Sequence, residues 1–299
     1  MTKLMIALAT TTALAGAAGA QELTEFRIGL LGGENAQDRL SSNECFRVYA
    51  EEALGVPTRL FTPADYNGVI QGLIGGSLDM AWLGASAYAA VYVADPEAVE
   101  TAMVKTNLDG TYTYHSIGFA RADSGITSLD DMKGKSFAFA DPNSASGYLI
   151  PKVELPALGY SMEEGEYFSR IGFSGGHEQS IIAVVNGDYD AGVVWADGLG
   201  EWEDGYNSGA LRRATDTGIV DMNDIVEIWR SNPIPEGPVV LRKSMPQEAK
   251  DTIIELLANL HETDPDCAYG VAAGETAGFT PVTHEEYATI IEIRKAEMN

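Results

Sequence analysis

The chain has 299 residues, of which 45% are hydrophobic and 21% charged, a globular composition that excludes a disordered, collagenous or coiled-coil protein and leaves room for two domains. Lysine and arginine number 19 against 44 aspartates and glutamates, so a net charge of −25 repels nucleic-acid phosphates and anionic lipid headgroups. A small anionic ligand is therefore expected to be held by local dipoles and hydroxyls, against the global field.

Residues 1–20 begin with Lys3, continue as an apolar stretch through Ile6, Leu8 and Leu14, and end in Ala18-Gly19-Ala20. This pattern is read as a secretory signal peptide with an A-x-A cleavage site, too short and too rich in Thr, Ala and Gly to span a bilayer. No Cys stands at the cleavage point and no later apolar run is long enough to cross a membrane, so an exported, soluble product is expected. Phe26 to Leu31 reads as a strand and Glu44 to Leu54 as a helix, with Phe46, Tyr49, Ala50 and Leu54 at helical spacing. Thr58 to Phe61 is a second strand. A helix opens at Thr62-Pro63-Ala64-Asp65 with Pro63 at its first position, and its stripe is Val69, Ile70, Leu73 and Ile74. Leu78 to Leu83 is a third strand, followed by a helix from Gly84-Ala85-Ser86. The βαβαβ rhythm predicts a mainly parallel sheet with helices on both faces.

A second series begins near His115, with strands at Ile117 to Arg121, Ser136 to Ala140 and Ala191 to Trp195, and a helix over Gln179 to Asn186. Ile225 to Trp229 and Val239 to Leu241 form a return segment punctuated by prolines, and the helix of Glu248 to His261 and a tail helix from His284 close the chain. Two α/β lobes follow as the economical topology, one of residues 21–115 plus 235–299 and one of 116–234 with crossover segments. In such a fold ligands bind beyond the carboxyl ends of the strands. Cys45 and Cys267 either bridge the first helix to the C-terminal region or remain two buried thiols, and sequence leaves both readings open. The four histidines are scattered, with no H-x-x-x-H or C-x-x-C, so no metal or cofactor is expected.

The informative chemistry lies at strand ends. Asp141-Pro142-Asn143-Ser144-Ala145-Ser146-Gly147 follows a strand and supplies two hydroxyls, together with backbone N–H groups at a helix start. That combination is an anion site needing no Arg or Lys, although Asn143 or Ser144 could equally be a simple cap. His177, in a Gly-Gly-His-Glu loop entering a helix, could donate to an oxyanion or be structural. Tyr66 could turn its hydroxyl to the cleft or pack in the core. Asp197 could meet a ligand cation or P–OH group, or cap the next turn. No nucleophile elbow, phosphate-binding Walker loop or zincin helix occurs, so an enzyme is not expected.

The segments Ala64-Asp65-Tyr66-Asn67-Gly68-Val69-Ile70-Gln71-Gly72-Leu73, Leu78 to Gly84, Asp141 to Pro151, Gly176-His177-Glu178, and Ile228-Trp229-Arg230-Ser231 with Pro233, Pro235 and Pro238 resemble, in order, the periplasmic phosphonate-binding proteins of ABC importers. The resemblance implies a type II periplasmic-binding fold, two α/β lobes with a cleft that closes on a phosphonate, phosphite or phosphate, and delivery by a monomer to an inner-membrane permease. It also implies that Ser144, Ala145 and Ser146 grip the oxyanion and that His177, Tyr66 and Tyr114 complete the cage. Asp197 matches the place where relatives that bind aminoalkyl phosphonates set a carboxylate. Ala145 stands where the family carries Thr, and a second amine-binding carboxylate is represented by Glu236 in shifted register. Trp82, Tyr88 and Glu236 are expected to set ligand size. A sensor subunit for phosphorus oxyanions, or an enzyme on the same fold, is the alternative reading.

Overall fold

The structure, a computed structural model, describes residues 23–32 and 34–297, so the signal-peptide reading lies outside the described residues. In chain order the first elements are β1 (Phe26–Gly29), α1 (Ala36–Leu54), β2 (Thr58–Phe61), α2 (Tyr66–Ile74), β3 (Met80–Trp82), α3 (Ala85–Ala94) and β4 (Val99–Thr106). They are followed by β5 (Thr113–Arg121), β6 (Ser136–Phe139), α4 (Ile150–Ala157), β7 (Arg170–Phe173), α5 (His177–Val185), β8 (Ala191–Ala196), α6 (Ala210–Asp216), β9 (Ile225–Arg230) and β10 (Ile234–Pro235). The chain ends with β11 (Pro238–Arg242), α7 (Gln247–Thr263), α8 (Pro265–Ala272), β12 (Gly278–Pro281) and α9 (Ala288–Glu297).

These strands form two six-stranded sheets. The first runs β12-β4-β11-β3-β1-β2; the second runs β10-β5-β8-β6-β7, with β9 also on β5. The chain passes between the sheets after β4 and returns between β10 and β11, where Glu236 and Gly237 form the link. The return is tight: a Cβ on Gly237 would lie 1.8 Å from the Leu83 carbonyl oxygen, so no other residue fits without moving backbone.

The first sheet is not mainly parallel. Only β3, β1 and β2 share a direction as paired neighbours, while β11 runs antiparallel to β3 and β4, and β12 runs antiparallel to β4. Sequence reading assigns no strand to 99–106, because Glu100, Thr101 and Lys105 break its apolar pattern. Helix α1 starts well before Glu44, with Asn35 as its cap accepting from the Gln37 and Asp38 amides at 2.9 and 3.3 Å. Its first turns carry polar side chains, so they lack the apolar stripe by which a helix is recognised. Helix α2 begins at Tyr66, with Asp65 accepting from the Gly68 amide at 2.9 Å, and Pro63 stands outside it instead of opening it. That shift makes Tyr66 the first helical residue.

One core lies between the first sheet and α1, α7 and α8, where Phe26, Ile28, Phe46, Met80, Val239 and Leu257 are buried. A disulfide between Cys45 and Cys267, with Cα atoms 5.8 Å apart, fastens α1 to α8. At the end of β3 remote from the cavity described below, Asp79 is fully buried and takes the side chains of both Arg27 and Arg242, the shortest contact being 2.6 Å.

Candidate functional site

The parallel strands deliver residues to a common place at their carboxyl ends. Strand β1 leads to Leu31 and Glu34, β3 to Leu83 and Gly84, β6 to the Ser144 loop, and β7 to His177; all of these residues line one cavity of about 130 Å³. The antiparallel strands reach it from their other ends, β5 with Tyr114 and β11 with Gly237 and Val239.

The loop after β6 is built to bring hydroxyls and amides together. Ser144 caps a single π-helical turn, Ala145–Leu149, that runs directly into α4. Its Oγ accepts from the Gly147 amide at 2.9 Å. Gly147 is required here, since a Cβ would come within 2.6 Å of Ala140 Cβ and 2.8 Å of Ser144 Oγ. Capping and ligand-binding readings of this loop are thus compatible: Ser144 makes the cap, and Ser146 is left for other work. Ser146 is fixed through its carbonyl oxygen, which accepts from Ser116 Oγ at 2.6 Å.

The remaining cage candidates stand around this turn. His177 Nε2 is 3.1 Å from Ser144 Oγ, and its Nδ1 is buried with no hydrogen-bond partner. Burial drives the imidazole down from 6.5 to about 4, with Glu34 pulling weakly the other way, so the ring is neutral at physiological pH and carries one N–H donor. The Tyr66 hydroxyl interacts with the Ser144 hydroxyl, and the Tyr114 hydroxyl with the Ser146 hydroxyl and amide. Burial raises both phenols above their usual range, which keeps them as neutral donors. Tyr66, Tyr114, Ser144, Ala145, Ser146 and His177 all line the cavity.

Asp197 is the exception among the sequence candidates. It is buried outside the cavity wall, accepting from Ser208 Oγ at 3.0 Å and the Leu199 amide at 3.2 Å. The strand it follows ends with Trp195 on the cavity, and the chain then turns Asp197 behind it. Trp82 and Glu236 line the cavity as expected, whereas Tyr88 does not: its hydroxyl is 2.8 Å from His284 Nδ1, against α9 and its leading turn.

Sequence reading missed the charged wall. Arg39, Arg213 and Lys105 line the cavity together with Glu34 and Glu236, so three cations face two carboxylates. The loop that the sequence singles out contains no Arg or Lys, but the cavity it lines does include these basic side chains. Glu34 accepts from Arg39 at 2.8 Å and also pairs with Arg213. Burial raises the Glu34 carboxyl, but the Arg213 and Arg39 guanidinium groups outweigh it and hold it at about 2. Four buried polar atoms on the cavity wall have no hydrogen-bond partner among the described residues: Arg39 Nε, Trp82 Nε1, His177 Nδ1 and Glu236 Oε2. Such orphans are costly in a folded protein unless something else meets them, and their concentration here makes this cavity the candidate ligand site.

The profile of a protein family described as "ABC transporter, phosphonate, periplasmic substrate-binding protein" matches residues 28–287. The chain is 28% identical over 268 residues to the Phosphate-import protein PhnD of Mycolicibacterium smegmatis, a match covering 85% of this chain and 80% of that protein. Its fold is similar to that of a binding-protein component of an ABC phosphonate transporter from Pseudomonas aeruginosa, with a TM-score of 0.78 at 23% identity over 93% of this chain and 87% of the other. It is also similar to PhnD1 from Prochlorococcus marinus, solved in complex with methylphosphonate, with a TM-score of 0.75 at 17% identity over 92% and 98% of the two chains. The chain belongs to the periplasmic substrate-binding proteins of ABC phosphonate transporters, and its fold is of the type II periplasmic-binding class.

Proposed function

We propose that the chain captures a phosphonate, or the closely related phosphite or phosphate, in this cavity and hands it to a permease in the inner membrane. Ser144 and Ser146, the amides of Ala145 and Ser146, and the Tyr66, Tyr114 and His177 side chains hold the oxyanion. The observation that carries this reading is the meeting of those neutral donors on one small cavity in a chain of net charge −25. The two sheets then serve as the cores of lobes 21–115 plus 235–299 and 116–234, and the Ser144 loop and Tyr66 come from opposite lobes. Residues 1–20 act as the export signal, and the protein works as a periplasmic monomer. No helix among the described residues is long and apolar enough to cross a membrane.

Hydrogen bonds to a charged group contribute about 1.5–3 kcal/mol each, so five or six of them, less ordering and desolvation costs, suit an affinity of about micromolar to nanomolar. Calorimetric titration with methylphosphonate, phosphite and phosphate tests the reading directly. Ser146→Ala is expected to weaken the best of these ligands roughly 10- to 150-fold. The melting temperature of the free protein should change little, because the contact of Ser146 with Ser116 is made by its backbone and only the Tyr114 hydroxyl loses a side-chain partner. Wild-type affinity in that variant would remove Ser146 from the cage, and no binding of any of the three anions would sink the proposal.

A further inference from the structure

The charged wall of the cavity has a part that the oxyanion cage leaves unexplained. Lys105, near the end of β4 and one strand in from the edge of the first sheet, has a side chain only 7% exposed. Its Nζ donates to Ser208 Oγ at 2.5 Å, and Ser208 Oγ donates in turn to Asp197 Oδ2 at 3.0 Å. On the cavity side Glu236 Oε2 stands 3.5 Å from the same ammonium, close enough for an ion pair and too far for a good hydrogen bond. The ammonium also lies 5.5 Å from the centre of the Trp195 ring. One buried cation is thus held by two carboxylates, directly by Glu236 and through a hydroxyl by Asp197.

The aromatic rings fix where this cation lies relative to the cage. Tyr114 meets Ser146 with its hydroxyl and Trp195 edge-on with its ring, at 5.9 Å between centroids, and Trp195 meets Lys105. The ammonium therefore lies on the same cavity as the serine loop, linked to it through the two rings, and a phosphonate substituent that extends from the cage toward Trp195 meets it. A ligand ammonium entering there would have to share Glu236 with Lys105 at a distance where like charges repel in a water-poor site.

We propose that Lys105 is a specificity-determining residue, a built-in ammonium that stands where a ligand's own cation would have to sit, so that the site takes phosphonates with uncharged substituents and rejects aminoalkyl phosphonates. The assignment rests on the oxyanion reading above and adds the sign of charge that the substituent cannot carry.

The test is competition calorimetry with methylphosphonate and 2-aminoethylphosphonate on the wild-type protein, Lys105→Met and Lys105→Arg. Wild type should bind methylphosphonate at least about tenfold more tightly than 2-aminoethylphosphonate. Lys105→Met keeps the length of the side chain over Trp195 and frees Glu236 and Asp197; it should gain at least about tenfold for 2-aminoethylphosphonate, with a smaller change for methylphosphonate. Lys105→Arg should keep the wild-type order. Equal wild-type affinity for the methyl and aminoethyl ligands overturns the assignment, as does a folded Met variant that loses both ligands in parallel, the behaviour of a purely structural lysine. Should the Met variant fail to fold, the wild-type ratio and the Arg variant still decide. Failure of the oxyanion reading has a different signature, the absence of methylphosphonate binding to wild type.

Discussion

Glu34 couples elements that pack on different sheets, the loop leading into α1 and the helix α6, and its contribution to stability is calculable. The carboxylate is 8% exposed and lies between Arg39 and Arg213. The two guanidinium groups, working against burial, lower it from 4.5 to about 2. A depression of that size corresponds to about 3 kcal/mol of folding free energy at neutral pH. Because the folded value lies below the unfolded one, this stabilisation is complete above about pH 4.5 and is lost as the pH falls toward 2. Glu34→Gln keeps the shape and removes the charge, leaving two guanidinium groups facing each other, so a loss of about 3–5 kcal/mol is expected. Urea unfolding followed by tryptophan fluorescence at pH 7 would read it as a lower midpoint at unchanged slope. Repeating the titration down to pH 2 should show that the variant has lost part of the acid dependence of wild type. A double-mutant cycle with Arg213→Met should return a coupling of at least about 1 kcal/mol. A loss below about 1 kcal/mol, or an unaltered acid profile, would mean that solvent screens the cluster and that it does not fasten the two parts together.

The Cys45–Cys267 bridge spans 222 residues of sequence, for which chain-entropy arguments give about 5 kcal/mol as a ceiling and about 2–4 kcal/mol as the usual effect. Replacing both cysteines by serine should lower the melting temperature by roughly 5–15 °C in scanning calorimetry; an unchanged transition would show that the bridge adds nothing to packing already present between α1 and α8. His177 supplies a separate acid response. Its folded value of about 4 lies below the ordinary 6.5, so the folded protein binds fewer protons than the unfolded chain between those limits, and stability should fall by about 3 kcal/mol as the pH drops through that window. Histidine resonances followed by NMR should show one imidazole titrating near 4, absent in His177→Gln; titration of that ring at 6 to 7 would contradict its burial.

The fold class is legible in the sequence because the parallel part of each sheet obeys strong local rules. Apolar runs such as Phe26 to Leu31 and Leu78 to Leu83 are bounded by glycines and followed by amphipathic helices. The antiparallel half of the first sheet is less visible, since β4 and β12 are short of apolar alternation and acquire their strand character from pairing with each other and with β11. The neutral part of the candidate site is also legible, because Ser144, Ser146 and His177 sit at strand-to-helix turns where amides are free to meet a ligand. The charged part is hidden for a physical reason. Arg39 lies on the polar first turns of α1, Lys105 inside an unrecognised strand and Arg213 on a short helix, and their meeting depends on how two sheets face each other. The one available signal is Lys105 itself, a basic residue among Met103, Val104 and Thr106. Asp197 shows the converse: its position at the end of β8 is as expected, but a single further turn hides the carboxylate behind Ser208.

The contrast between the whole molecule and its cavity resolves the problem that composition raises. A net charge of −25 acts on an approaching anion from a distance, but at physiological ionic strength it is screened beyond about 8 Å. Inside the cavity screening is weak, and what counts is the local set: neutral hydroxyls and amides, an uncharged His177, and three cations against two carboxylates. Each of those cations is already engaged, Arg39 and Arg213 with Glu34 and Lys105 with Glu236 and Ser208, so none offers a full unpaired charge to an anion. With Asp197 reaching Lys105 through Ser208 just behind the wall, three carboxylates balance the three cations, so the arrangement supplies donors without an excess of positive charge. That balance favours an affinity set by geometry, in which the number of well-placed hydrogen bonds decides which oxyanion stays, and it is compatible with release once the cage is disturbed. A site built from bare arginines would attract many anions and retain them, whereas donors already restrained by counter-charges favour a ligand whose shape matches their geometry.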